Sequence, residues 1–223
     1  MSISGVPSAG FTKPVADSLS LEEIYDFFFI AWNMVKIESA ISSRNLENKI
    51  TWRFYDVIVA EKSRLTDDGT RQFCFSFLPG TVVTDGRGKQ IGIADIQIQF
   101  GTDERNRITI EAKLLNKKGE YLHSTYVSRG MMRFITGQYG HGVLWGGMIG
   151  YVLDGNTGIA RTSVTDTIEA NRLPLGMSPK GTLTKSIIRE DVYETSHMRQ
   201  TKIPFTIYHI FLPVGCVPLE GMG

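Results

Sequence analysis

Between Asp95 and Leu115 the chain alternates with period two. Ile96, Ile98 and Phe100 fall on one side of an extended segment and Asp95, Gln97 and Gln99 on the other; after a turn over Gly101 to Asn106, Ile108, Ile110 and Ala112 oppose Thr109, Glu111 and Lys113. This predicts a hairpin with one apolar and one polar face, the first for the core and the second for chemistry. Setting Phe100 opposite Ile108 brings Gln97 to Glu111 and Asp95 to Lys113. A slip of one residue would turn the polar set into the core, whereas a slip of two places Asp95 opposite Glu111 and keeps the faces.

Around this ribbon the pattern changes period several times. Residues 1–17, with Gly, Pro and Ser, read as a flexible lead-in, and 18–223 as one domain. A capping box at Ser20-Leu-Glu-Glu23 opens a helix that runs to about Ser42, apolar over most of its circumference. Strands are predicted from Ile50 towards Ala60, over Phe73 to Leu78, over about Gln90 to Phe100 and over Arg107 to Leu115. Turn signals at Asp67-Asp-Gly69, Pro79-Gly80 and Asp85-Gly-Arg-Gly88 join them into an antiparallel meander.

Ser124 to Tyr139 reads as a second helix with a core stripe of Val127, Met131, Phe134 and Ile135. Gly130 within it costs about 1 kcal/mol relative to Ala, which implies a close backbone approach. Gly142 to Leu153 is apolar on both faces, as a central parallel strand would be, and a helix over Thr157 to Arg172 follows. Its glycines lack the Lys-Ser/Thr of a phosphate loop and read as close packing. A closing hairpin is predicted near Ile187 to Met198 and Pro204 to Pro213, with His197 and His209 facing outward or into a cleft depending on register, and structural rather than catalytic because lone strand histidines are usually hydrogen-bonded.

Composition narrows this modestly. A chain of 223 residues, 42% hydrophobic and 21% charged, suits one substantial domain. The net charge of +1 excludes a globally basic nucleic-acid binder, yet residues 101–140 hold seven Lys/Arg against four acids. Two cysteines give no disulfide framework and no CxxC, no secretory signal opens the chain, and the apolar runs are too short to span a bilayer. A cytoplasmic protein without membrane contact is expected.

Asp95 followed on the next strand by Glu111-Ala112-Lys113 resembles the PD-(D/E)xK, or restriction-endonuclease-like, nuclease superfamily, with Ala94 in place of the proline. The order helix, three antiparallel strands, helix, strand, helix is similar to that family's αβββαβ core. The resemblance implies an α/β fold with a mixed central sheet flanked by helices, here with an added C-terminal β-hairpin. It implies Mg²⁺ or Mn²⁺ held by Asp95, Glu111 and the carbonyl of Ala112, with Lys113 orienting the attacking water and Glu38 of the first helix as an auxiliary catalytic carboxylate. Lys117, Lys118, Tyr126, Arg129 and Arg133 are the residues expected to contact nucleic acid, the two arginines because the guanidinium fork matches phosphate oxygens.

The expected activity is hydrolysis of phosphodiester bonds, of DNA rather than RNA. By family analogy, defence of bacteria against foreign DNA would suit it. With no separate reading domain in view, a homodimer or a partner protein is expected to supply target recognition. The alternative from another class is a catalytically silent module of the same fold that binds nucleic acid or a protein partner within a larger complex. No H-E-x-x-H, nucleophile elbow or dinucleotide fingerprint competes with these readings.

Overall fold

The computed structural model describes residues 18–35, 46–69, 72–80, 82–84, 90–100, 107–115, 122–140, 143–177 and 182–214. The chain is α/β, built on a seven-stranded mixed sheet. Helix α1 (Ser18–Met34) is followed by α2 (Leu46–Asp67), and then come β1 (Phe75–Pro79), a two-stranded ribbon of β2 (Val82–Thr84) and β3 (Gln90–Ile93), β4 (Ile96–Phe100) and β5 (Arg107–Leu115). Three consecutive helical stretches span 123–135: α3 (His123–Thr125), a π-helical turn (Tyr126–Met131) and α4 (Met132–Ile135). Strand β6 (Trp145–Val152), helix α5 (Thr157–Ala170) and strands β7 (Thr184–Lys185), β8 (Tyr193–Met198) and β9 (Pro204–Pro213) complete it.

The sheet order is β1-β4-β5-β6-β9-β8-β7. Strands β1, β4 and β5 form the predicted antiparallel meander, β5, β6 and β9 run parallel, and β8 returns antiparallel to β9. The C-terminal hairpin is therefore no appendage, because β9 lies inside the sheet. Alternate positions of the central strands feed two apolar clusters. Ile110, Ala112, Ile149, Tyr151, Ile210 and Leu212 join α1 and α2, whereas Met148, Val152, Ile207 and Phe211 join α5 and the 123–135 helical stretch.

One predicted element is of the wrong type. Residues 46–67, expected to hold a strand from Ile50, form α2, in which Ile50, Phe54 and Ile58 are fully buried. The four-residue spacing of these side chains is helical, and it prevails over the β-branched and aromatic content that suggested a strand. The first helix ends at Met34, and most of its expected continuation to Ser42 lies outside the described residues. The central strand β6 is buried at every position, and a Cβ on Gly146 would lie 2.5 Å from Cε1 of the Phe134 ring, so its glycine serves close packing as expected. Among the described residues no helix is long and apolar enough to cross a membrane.

Candidate active site

Strands β4 and β5 pair with Ile96 opposite Ile110 and Ile98 opposite Ile108, two residues from the first predicted register. Continued by one residue, this pairing sets Asp95 opposite Glu111, as the two-residue slip anticipated. Asp95 stands just before β4, where the ladder to β5 has ended. Its Oδ2 accepts the Ala112 N–H at 2.7 Å, taking over from the missing strand. Glu111 and Lys113, two apart on β5, share a face, and Lys113 Nζ lies 2.8 Å from Glu111 Oε1.

That polar face is largely covered and meets water at the cleft that Asp95, Glu111 and Lys113 line. Glu111 is fully buried and Lys113 is buried, because the 123–135 helical stretch covers them. Gly130 allows the approach: a Cβ there would stand 2.4 Å from Met148 Cε and 3.6 Å from Lys113 Cγ. Covered charges need partners, and two come from outside the hairpin: Glu47 from the segment expected to hold a strand, and Arg133 from the predicted second helix, where it was expected to contact nucleic acid. Glu47, in the first turn of α2, accepts from Lys113 Nζ at 2.8 Å through Oε1 and from the Leu114 N–H at 3.0 Å through Oε2. Arg133 Nη1 lies 2.7 Å from Glu111 Oε1 and 2.7 Å from the Tyr139 hydroxyl, which in turn donates to the Ile93 carbonyl at 2.6 Å.

Three carboxylates, Asp95, Glu111 and Glu47, thus face two cations, Lys113 and Arg133. Both cations converge on one oxygen of Glu111, while Oε2 is buried without a hydrogen-bond partner. Burial and the neighbouring Glu111 carboxylate raise Asp95 to about 7, against the pull of Lys113 and of the Ala112 N–H. Burial alone would lower Lys113, but Glu111 and Glu47 more than offset it and hold the ammonium above its ordinary range. Burial and then Glu111 raise Tyr139, so its hydroxyl stays a donor.

A surplus negative charge, an orphaned carboxylate oxygen and a carboxyl forced towards neutrality together fit a hard cation. Asp95 and Glu111 are the side chains that could share it, and the Ala112 carbonyl, which Lys113 Nζ approaches to 2.6 Å, is the nearby backbone oxygen. Glu47 is committed to Lys113 and to Leu114, so it holds the lysine in place. Among the described residues no group of three or more His, Cys, Asp or Glu is gathered on one point. The groups open into a cleft of about 460 Å³, whose other wall carries Trp52, Tyr55, Pro79 and Gly80.

The remaining predicted residues divide. Glu38, Lys117 and Lys118 lie outside the described residues. Arg129 is exposed, but Tyr126, expected beside it on a phosphate-contacting stripe, is fully buried and bonds His209 Nδ1 at 2.9 Å. The π-helical turn is the reason: its wider period breaks the α-helical projection that put Tyr126, Arg129 and Arg133 on one face. His197 and His209, expected to face outward or into a cleft, are instead buried and hydrogen-bonded, the structural role that was favoured over a catalytic one. His197 Nδ1 must donate to the Leu175 carbonyl at 2.9 Å, which makes its Nε2 the acceptor from Thr195; Thr195 then accepts from His209 Nε2, and His209 Nδ1 accepts from Tyr126. Both imidazoles are neutral, with burial lowering His197 to about 4 and His209 further.

Glu47 was legible only once α2 was read as a helix, as an acidic residue in its first turn. Compared with protein-family models, curated proteins and solved structures, the chain finds no match in any of the three.

Proposed function

We propose that the protein is a metal-dependent nuclease with a restriction-endonuclease-like core, acting on the phosphodiester bonds of DNA. The observation that carries this reading is Asp95 held at the end of the β4–β5 ladder by the Ala112 N–H, next to Glu111, whose Oε2 is buried and unpartnered. Asp95, Glu111 and the Ala112 carbonyl would hold Mg²⁺ or Mn²⁺, which supplies charge neutralisation at the phosphate and a more acidic water. Lys113, fixed by Glu47 and Glu111, presents its ammonium at the same place and offsets charge that develops on the phosphate oxygens. Arg133 keeps about a third of its side chain exposed while anchored to Glu111, so its free edge can meet a phosphate at the rim.

A second reading is a silent module of the same fold. It is favoured by the saturation of the cations, since Lys113 and Arg133 already have carboxylate partners and Asp95 caps the Ala112 N–H. Incubation of the purified protein with plasmid and with single-stranded DNA, in Mg²⁺, in Mn²⁺ and in EDTA, separates the two. Metal-dependent cutting that Asp95→Ala and Lys113→Ala abolish is the expected result. Cutting that survives both substitutions in folded protein would refute the site, and wild-type protein that binds DNA without cutting it under any of these conditions would favour the silent module.

A further inference from the structure

The exposed face of α2 beside the cleft carries an aromatic side chain that the core does not use. Trp52 is 54% exposed, whereas the other two tryptophans, Trp32 and Trp145, are buried. It lines the cleft together with Tyr55, whose ring it meets edge-on at 6.1 Å between centroids. The opposite lip is backbone: a Cβ on Gly80 would come 3.8 Å from Trp52 Cζ2, and the Gly80 N–H donates to the Asp95 carbonyl at 3.2 Å. One residue therefore separates the indole from the chain at Asp95. Along α2, Glu47 and Trp52 lie five residues apart and both line this cleft, so the helix carries one residue of the charged end and one of the aromatic end.

We infer that this cleft takes an unpaired nucleotide, its base stacked on Trp52 and its phosphate directed to Asp95, Glu111 and Lys113, so that the substrate is single-stranded nucleic acid. The inference rests on the nuclease reading for the phosphate end and on Trp52 for the base end. A base inside an intact duplex is stacked on its neighbours and cannot offer a face to an indole on a helix surface, whereas an unpaired base can. The cleft volume of about 460 Å³ gives room for a nucleotide. Lys49, one turn before Trp52, and Arg53, next to it, are both exposed and supply the positive charge that a strand's backbone requires, until Asp56 ends the strip. Stacking tolerates any base, so the site reads strandedness and not sequence.

The test separates binding from cutting. In EDTA, quenching of Trp52 fluorescence would be followed while a short oligo(dT), the matching oligo(U) and a blunt duplex are titrated in, and affinities would be read by anisotropy of labelled strands. Either single strand should quench and bind, the preferred sugar being read from the two arms, and the duplex should do neither. Trp52→Ala should weaken strand binding about tenfold or more, and Trp52→Phe should retain most of it. Duplex binding as tight as strand binding, or strand binding unchanged in Trp52→Ala, overturns the inference. Cutting of blunt duplex by Trp52→Ala at the wild-type rate would overturn it while leaving the nuclease reading intact. Strand binding through Trp52 with no cutting in Mg²⁺ or Mn²⁺ would do the reverse.

Discussion

Asp95→Asn should make the metal-free protein more stable. The folded chain holds the Asp95 proton more tightly than the unfolded chain, because burial and Glu111 move it from an ordinary 3.8 to about 7. Stability is accordingly lost as pH rises from 3.8 to about 7, and the whole cost is present above that. At about 1.4 kcal/mol per pH unit the cost is bounded at about 4 kcal/mol, and the partial solvent access of Asp95 brings the expected gain to about 2 kcal/mol. Asparagine keeps an oxygen to accept the Ala112 N–H, so the substitution removes charge and little else. For a chain of this length such a gain raises the melting temperature by about 4–8 °C. Thermal melts of both proteins in EDTA at about pH 8 and about pH 4 measure it: the variant should lead at the higher pH and lose that lead at the lower. Added Mg²⁺ should raise the wild-type melt at the higher pH and leave the variant's unchanged. A variant that is less stable at about pH 8, or whose lead does not depend on pH, would refute the account of crowded carboxylates awaiting a cation.

Two further outcomes concern the scaffold. His197 is buried neutral with its ordinary 6.5 lowered to about 4, so stability is present above 6.5 and falls as pH drops through that window, by about 3 kcal/mol. Urea unfolding across the window should show the loss, His197→Gln should reduce its slope by about one proton, and a flat profile in the wild type would contradict the neutral hydrogen-bond chain. Gly146→Ala should cost about 2 kcal/mol, because its Cβ would press on the Phe134 ring in a packed core, and a melting temperature within a degree of wild type would show that the ring yields.

Strand β5 was predicted with its observed limits, Arg107–Leu115, because its alternation is strict. The close approach at Gly130 was readable from the expense of a glycine within a helix. The hairpin register was less determined: positions two apart carry the same residue types, so the apolar pattern alone could not choose between Asp95 opposite Lys113 and Asp95 opposite Glu111. Glu47 and Arg133 were harder still. Each reaches β5 from another element, at separations of 66 and 22 residues, and no local pattern encodes such contacts. Misassigning α2 hid both Glu47 and the exposure of Trp52, since facing along a helix cannot be deduced from a strand's period.

The position of β9 bears on how the chain is made. Every residue assigned to the site here, from Glu47 to Arg133, has left the ribosome before Pro204 is added. Until β9 arrives, β6 has a neighbour only on its β5 side, and its other edge is a bare row of amide and carbonyl groups on an entirely apolar strand. Synthesis thus passes through a stage in which the chemical groups are in hand while the centre of the sheet can still accept a foreign strand, and the last strand ends that exposure.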